Sequence, residues 1–289
     1  MKAFRVSKLQ AKWFGRSMAV LILIAGLLSV APVWGAERIT CASTTSTQNS
    51  GLFDYILPVF KKQTGIEVAV VAVGTGQALE MARRGDADVV MVHDPEAEKK
   101  LVEDGYGINR RQVMYNDFII VGPCSDPAKI KGLKNTAAAF QRIGQAGFKF
   151  ISRGDKSGTH SKELLIWKKA GLSPPGQADY LEAGQGMSST LRMADEKQYY
   201  TLVDRGTWLA SQESNPVDLC LLVEGDPMLF NQYSVMVVDP AKIPHAKVKA
   251  ATKFADWLVS EPGQELIGSF KDKKGNQLFH PNAQEGSTK

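Results

Sequence analysis

Five hydroxyl side chains in a row, Ser43-Thr44-Thr45-Ser46-Thr47, separate a short apolar stretch (Arg38-Ile39-Thr40-Cys41-Ala42) from a helical pattern that runs from about Gly51 to Lys62. Hydroxyl residues at that position can cap the helix, but a cap needs only one of them. Side-chain O–H and backbone N–H groups at the positive end of a helix dipole can also hold an anion. The run therefore predicts an anion site at the start of the first helix.

The first 36 residues read as an export signal, with a basic start, a short apolar segment from Met18 to Val30 and a small-residue exit. Cleavage is expected after Gly35 or Ala36, so the mature protein is expected to be exported. The apolar segment is shorter than the roughly 20 residues that a membrane span needs, and no later segment reaches that length. The mature chain is therefore expected to be soluble and not membrane-spanning.

Removal of the signal changes the charge of the chain. The sequence holds 35 Lys and Arg against 30 Asp and Glu, and five of the basic residues lie in the signal, so the mature chain is formally neutral. The pI of about 9.0 thus belongs largely to the signal. Because no mature segment interleaves Lys or Arg with aromatic residues, nucleic-acid binding is not indicated.

Three cysteines, Cys41, Cys124 and Cys220, are an odd number for an oxidising compartment and include no Cys-x-x-Cys pair. The four histidines show no metal-ligand spacing, so a metal site is not indicated. A Cys124–Cys220 disulfide stays open from the sequence. The preferred interpretation is that each cysteine is a small buried apolar residue.

Apolar segments of strand length alternate with helical patterns along the mature chain, which favours an α/β fold with mainly parallel sheets flanked by helices. About 253 residues suit two lobes better than one core. No linker separates the lobes, so we expect strands that cross between them at Asn116-Pro123 and Glu224-Ser234. The predicted lobes are residues 37–117 with 233–289, which form lobe 1, and residues 118–232, which form lobe 2.

Four strand-to-helix junctions are rich in glycine and hydroxyl residues. In an open α/β sheet, ligands collect where strands end and helices begin, and glycine lets backbone N–H groups approach them. Two junctions fall in each predicted lobe, so a cleft between the lobes would receive donors from both sides. The junctions are Ser43–Thr47, Val73–Gly76, Ser152–Thr159 and Gly184–Thr190.

Arg153 lies between a strand end and a glycine-rich turn, where a guanidinium can offer several fixed donors to an oxyanion. An ion pair with Asp155 or a surface position is the alternative. Asp155 is expected to brace the loop, and Lys156 is expected to be solvated. The candidate ligand residues are Ser43, Thr44, Thr45, Ser46, Thr75, Ser152, Arg153, Ser157, Thr159 and Ser188.

At these residues the sequence resembles the periplasmic tungstate-binding proteins of ABC importers. The hydroxyl run of that family and the segment after it stand here as Ser43-Thr44-Thr45-Ser46 and Thr47-Gln48-Asn49-Ser50-Gly51-Leu52. Ser43 replaces the family's first threonine, which keeps the hydroxyl and loses a methyl group. The resemblance covers nearly the whole mature chain, including Val73–Leu79, Arg84–Asp88, His93–Pro95, Ser152–His160 and Asp204–Thr207.

The resemblance implies a two-lobed type II periplasmic binding-protein fold that closes on a tetrahedral oxyanion. The implied ligand is tungstate, with molybdate as a second one, and the implied partner is an inner-membrane ABC permease with its ATPase. No catalytic role and no cofactor are expected, and the protein is expected to be a monomer. By motif match, the first hydroxyls and Arg153 carry over as ligands, whereas Thr75 and Ser188 depend on the junction argument.

Three alternatives stay open. Phosphate usually keeps a proton at neutral pH and would favour an acidic acceptor, for which Asp155 is the candidate. A periplasmic hydrolase would need a base within hydrogen-bond reach of a hydroxyl, and His160 is the only candidate, since His93 is expected to cap or pack. The third alternative is a ligand-sensing accessory domain without a transporter.

Overall fold

A computed structural model describes residues 37–174 and 178–283. Strands and helices alternate along the chain, as the sequence pattern predicts, whereas the predicted signal at residues 1–36 lies outside the described residues. The strands are β1 (Arg38–Thr44), β2 (Glu67–Val73), β3 (Val89–Val92), β4 (Gly107–Pro123), β5 (Phe150–Ser152), β6 (Tyr180–Glu182), β7 (Thr201–Asp204), β8 (Leu219–Val223), β9 (Phe230–Val238) and β10 (His280–Pro281). The helices are α1 (Thr45–Asn49), α2 (Leu52–Thr64), α3 (Thr75–Arg84), α4 (Pro95–Glu103), α5 (Thr136–Gln145), α6 (Gly158–Lys169), α7 (Met187–Lys197), α8 (Arg205–Ser214), α9 (Val248–Val259) and α10 (Glu261–Ser269).

One long strand, β4, takes part in two regions of sheet. Its first part pairs antiparallel with β9 and β10, and its last part pairs antiparallel with β7 and β8. The partner changes between Asp117, which lies opposite Phe230, and Phe118, which lies opposite Asp204. The change falls in the segment that the sequence suggests as the first crossing, so a continuous strand connects the two regions.

Parallel pairs occur in the larger sheet and in a separate two-stranded sheet. β1 lies between β2 and β3 and is parallel to both, and β5 pairs parallel with β6. β9 then pairs antiparallel with β3, which makes the larger sheet mixed. The sheets are less parallel than the alternation of elements indicates, because β4 and β9 run antiparallel to their neighbours.

Among the described residues, the hydrophobic core forms four clusters that divide along the sequence. The buried members of two clusters come from residues 39–114 and 233–279. Those of the other two come from residues 118–229. We keep the predicted lobe boundaries as a proposal and use lobe 1 and lobe 2 for these two parts of the chain.

The structure contradicts, for two of the three cysteines, the interpretation that each is a small buried apolar residue. Cys124 and Cys220 form a disulfide between the end of β4 and the adjacent strand β8, so that interpretation is wrong for both. Their pairing depends on strand register across 96 positions, which spacing alone does not reveal. For Cys41 the interpretation is confirmed, because this thiol is unpaired and buried on β1.

Helix length and hydropathy also bear on membrane association. Within residues 37–174 and 178–283, no helix is both long and apolar enough to cross a bilayer.

Candidate ligand-binding site

The hydroxyl run lies where β1 ends and α1 begins. Thr44 is the N-cap of α1, and its Oγ1 accepts a hydrogen bond from the backbone N–H of Thr47 at 3.4 Å. The sequence pattern predicts a helix only from about Gly51, whereas the structure begins one at Thr45. The run therefore forms a helix start, not the loop before one.

Most hydroxyls of the run are used within the fold. Ser43 Oγ donates to the carbonyl oxygen of Met91 on the neighbouring strand β3, at 2.7 Å. Thr44 Oγ1 lies 3.0 Å from Ser46 Oγ and 2.8 Å from Thr47 Oγ1. The expectation that Ser43 offers its hydroxyl to a ligand is therefore not supported, because its only proton is taken by the sheet.

Thr45 differs from its neighbours. Its Oγ1 is buried and has no hydrogen-bond partner among the described residues. This atom faces the backbone of Gly186 in lobe 2, since a methyl group built at Gly186 would lie 3.5 Å from it. An unpaired buried hydroxyl costs roughly 1–3 kcal/mol, so a ligand that accepts its hydrogen bond gains stability.

The loop between β5 and α6, here called the arginine loop (Arg153–Ser157), holds a buried guanidinium. Arg153 is 3% exposed, its Nε donates to the carbonyl oxygen of Gln185 at 3.3 Å, and it forms an ion pair with Asp155. Asp155 Oδ1 also accepts from the backbone N–H of Ser157 at 3.1 Å, so it braces the loop as expected. Lys156 is exposed, also as expected. A guanidinium has five donors, so N–H groups remain for a ligand after these two contacts.

Two hydroxyls hold the arginine loop in shape. Ser152 Oγ accepts from the backbone N–H of Gly154 at 3.2 Å, and Ser157 Oγ caps α6 by accepting from that of His160 at 3.3 Å. Gly154 has a φ of 60°, a left-handed conformation that favours glycine. Because Ser157 Oγ acts as an acceptor in its contact, it keeps a proton to donate, whereas the Ser152 hydroxyl also hydrogen-bonds the Glu163 carboxyl.

The start of α6 meets lobe 1. The backbone N–H of Gly158 donates to Thr75 Oγ1 at 3.1 Å, which links α6 to the start of α3. Thr159, the next residue, is 1% exposed, and its Oγ1 has no hydrogen-bond partner within residues 37–174 and 178–283. Each lobe thus contributes a buried, unpaired hydroxyl, Thr45 from lobe 1 and Thr159 from lobe 2.

Ser188 lies outside this buried group. Its side chain is exposed, and its Oγ accepts a hydrogen bond from Asn49 Nδ2 at 3.1 Å. The contact joins α7 to α1 at the surface, between the lobes. Ser188 therefore differs from the prediction that placed it with the other ligand residues.

His93 connects the hydroxyl run to β9. Its Nε2 lies 3.3 Å from Ser46 Oγ, and its Nδ1 lies 3.0 Å from Asn231 Oδ1. Asn231 Nδ2 donates to Asn116 Oδ1 at 2.7 Å and to Tyr233 Oη at 3.2 Å, which directs its amide oxygen towards His93. His93 Nδ1 therefore carries the proton, and Nε2 accepts from the Ser46 hydroxyl.

Burial lowers the pKa of His93 to about 4, and the positive charge of Arg153 adds to this effect. The imidazole is therefore neutral at neutral pH. It packs, as expected, with its ring centroid 4.7 Å from that of Tyr233. Its hydrogen bonds were not predicted, because their partners lie 47 and 138 positions away in the sequence.

The electrostatic surroundings favour an anion. The helices that begin at the four predicted junctions, α1, α3, α6 and α7, have no acidic residue in their first turn. Asp204 is a buried carboxylate that caps α8 in the vicinity of Arg153, and burial raises its pKa. The described part of the chain contains no group of three or more His, Cys, Asp or Glu that could hold a metal ion. The site thus offers mostly neutral donors and one guanidinium.

Comparison with known proteins finds close relatives. Residues 34–262 match the PBP superfamily domain. The tungstate-binding protein TupA of Peptoclostridium acidaminophilum is 51% identical over 248 residues, which cover 85% of this chain and 86% of that protein.

Solved structures have the same fold. The tungstate binding protein TupA from Desulfovibrio alaskensis G20 is 48% identical, with a TM-score of 0.75 over 86% of this chain and 100% of that chain. The tungstate ABC transporter structure from Geobacter sulfurreducens is 49% identical, with a TM-score of 0.74 over 81% of this chain and 99% of that chain. These matches confirm the predicted α/β fold.

Glu163 is a buried carboxyl that lies one helical turn beyond Thr159 on α6. Its Oε1 accepts hydrogen bonds from Tyr180 Oη at 2.6 Å and from Trp167 Nε1 at 3.1 Å. Burial raises its pKa from 4.5 to about 7. The folded state therefore binds the proton of the Glu163 carboxyl more tightly than the unfolded state does. The contribution of this proton to the free energy of unfolding is complete below pH 4.5 and is lost as the pH rises to about 7.

We expect Glu163→Gln to remove this pH dependence, because the amide oxygen keeps both acceptor contacts and the side chain has no charge. Between about pH 5 and pH 8, the free energy of unfolding of the ligand-free wild type should fall by more than about 1 kcal/mol relative to that of the variant. Urea unfolding at both pH values measures this difference. Parallel pH curves for the two proteins would contradict the assignment.

Proposed function

This chain belongs to the PBP superfamily, and from that premise we propose that it binds tungstate between its two lobes and delivers it to an ABC importer. The relatives support this ligand, since they are named as tungstate-binding proteins and as a tungstate ABC transporter. The export signal read from the sequence supports a periplasmic location. There the protein would act as a monomer and meet an inner-membrane permease with its ATPase.

Four hydroxyls are buried without a partner among the described residues, those of Thr136, Ser234, Thr45 and Thr159, and the last two support the proposal most. Both lie close to the arginine loop. Thr45 lies against Gly186, whose neighbour Gln185 accepts a hydrogen bond from Arg153. Thr159 follows the other end of that loop. A small oxyanion in this position would accept hydrogen bonds from both hydroxyls and from the guanidinium.

We assign the direct ligand contacts to Thr45, Thr159 and Arg153. Ser43 and Ser188 are not assigned, because the first is engaged by β3 and the second is exposed. The other candidates support the site through the hydrogen bonds described above, and they are Thr44, Ser46, Thr75, Ser152 and Ser157.

The charge of tungstate suits this group of donors. The dianion has four oxygens that can accept many hydrogen bonds, and each bond is strengthened in a crevice from which water is excluded. Arg153 offsets part of the charge, but it also neutralises Asp155. Neutral O–H and N–H dipoles must therefore stabilise most of the dianion, and closure of the lobes would complete the set.

Phosphate suits the site less well than tungstate. The proton that phosphate keeps at neutral pH needs an acceptor, for which Asp155 is the candidate. Both oxygens of Asp155 are already engaged, one with Arg153 and the other with the Ser157 N–H. Sulfate is smaller and would leave donors without contact, whereas molybdate is almost isosteric with tungstate and should bind as well.

A serine hydrolase is the second candidate, because Ser46, His93 and Asn231 are linked in series by hydrogen bonds. The expectation that only His160 could act as a base is wrong, since His93 lies within reach of a hydroxyl. With a pKa of about 4, however, His93 is a weak base for a serine. All three side chains are also buried. We therefore assign this series to holding α1 in place.

Titration calorimetry of the mature protein with tungstate, molybdate, sulfate and phosphate separates these functions. We expect tungstate and molybdate to bind with a Kd below about 1 μM, and sulfate and phosphate to bind at least about tenfold more weakly. The reason is that sulfate is too small and phosphate carries a proton without an acceptor. Tight binding of phosphate alone would contradict the proposal.

Thr159→Val replaces the unpaired hydroxyl with a methyl group of similar size. We expect tungstate affinity to fall about tenfold or more, since a hydrogen bond to a charged group contributes roughly 1.5–3 kcal/mol. The melting temperature of the ligand-free protein should not fall, because the variant no longer buries an unpaired hydroxyl.

Thr201→Val is the matched control in the same lobe. Thr201 is also buried, but its hydroxyl donates to the carbonyl oxygen of Ile151 at 2.8 Å. This variant should melt at a lower temperature, because it removes the hydrogen bond to the Ile151 carbonyl oxygen, and it should bind tungstate within about twofold of the wild type, because it removes no group assigned to the ligand. If Thr159→Val bound tungstate like the wild type, Thr159 would not be a ligand.

A further inference from the structure

Glycine residues lie where the two lobes meet, and they differ in how closely they approach the other lobe. A methyl group built at Gly74 in lobe 1 would lie 3.7 Å from the carbonyl oxygen of Asp155, which is an ordinary contact distance. One built at Gly158 in lobe 2 would lie 2.9 Å from Cε1 and Nδ1 of His93 and 3.0 Å from the His93 carbonyl oxygen. At Gly158 the lobes are therefore too close for any side chain.

The need for glycine at position 158 is purely steric. Gly158 is the first residue of α6 and is not among the residues of positive φ, so its backbone suits any amino acid. Side-chain carbons do not approach other atoms to 2.9 Å in well-packed proteins. An alanine at this position would push α6 away from His93.

His93 presents a fixed surface to Gly158. Its two ring nitrogens are engaged with Ser46 and Asn231, and its ring packs against Tyr233. Its carbonyl oxygen belongs to the backbone at the end of β3. Rotation of the ring would break both hydrogen bonds and would leave the carbonyl contact unchanged.

We propose that the contact between Gly158 and His93, here called the closure contact, sets how far the lobes close and thereby the separation of the two ligand hydroxyls. Thr159 directly follows Gly158, and Thr45 directly precedes Ser46, which is hydrogen-bonded to His93. A continuous packed path therefore joins the two hydroxyls without passing through the ligand. Gly158 and His93 are positioning residues for tungstate, and this inference rests on the proposed function.

Gly158→Ala tests the closure contact, and Gly74→Ala is the matched control because Gly74 also lies at a helix start between the lobes. We expect Gly158→Ala to weaken tungstate binding about tenfold or more in calorimetry, since the added methyl group keeps the lobes apart. In the proposal this contact forms only when the lobes close. The melting temperature of Gly158→Ala without ligand should therefore equal or exceed that of the wild type, because alanine favours a helix more than glycine does.

Small-angle scattering gives a second readout. Tungstate should compact the wild type and Gly74→Ala to the same extent and Gly158→Ala to a smaller extent. Gly74→Ala should bind tungstate within about threefold of the wild type, because its methyl group meets only ordinary contacts.

Three results would count against the closure contact. Wild-type affinity in Gly158→Ala would overturn it. A large fall in the melting temperature of ligand-free Gly158→Ala would also overturn it, because the contact would then belong to packing that exists without ligand. If the wild type itself bound no tungstate, the proposed function would fail and this inference with it, whatever the variants did.

Discussion

The proposed site depends on two hydroxyls, those of Thr45 and Thr159, which are buried and lack a partner among the described residues, as do those of Thr136 and Ser234. Leaving such a group unpaired costs about 1–3 kcal/mol, and neighbouring hydroxyls avoid that cost by bonding within the fold. Ser43 donates to β3, and Ser46 donates to His93. In the proposed site, a ligand with several acceptor oxygens between the lobes would remove the cost for both hydroxyls at once, which would couple binding to the approach of the lobes.

The connections between the lobes are held together independently of the ligand. Arg205 donates through Nε and Nη2 to the two carboxylate oxygens of Asp117 on β4, both at 2.6 Å. Its Nη2 also donates to Glu224, just after β8, at 2.7 Å. A two-pronged pair of this kind is strong and specific in geometry. It fixes the two crossing segments to each other without any contact to the hydroxyl run or the arginine loop.

Local patterns in the sequence predicted most of the elements. The strand β2 spans Glu67–Val73, an apolar run bounded by turn residues that indicates a strand by itself. The short helix α1 was missed because a run of hydroxyl residues has no apolar periodicity. The helix α8 follows β7 directly, with Asp204 as both the last strand residue and the N-cap, so no turn residue marks its start in the sequence.

The residues of the candidate site could be predicted from the sequence, but their hydrogen-bond partners could not. Hydroxyl and glycine residues at strand ends, with Arg153 among them, indicated where donors would gather. Which hydroxyls form hydrogen bonds within the fold depends on partners far along the chain, such as Met91 for Ser43, and local spacing does not identify those partners.

The most direct test of the central claim is a crystal structure of the mature protein with tungstate, located by the anomalous scattering of tungsten. We expect the tungstate to lie between the lobes, with its oxygens within about 2.6–3.2 Å of Thr45 Oγ1, Thr159 Oγ1 and the Arg153 guanidinium. A tungsten peak elsewhere, or one in contact with neither hydroxyl, would contradict it.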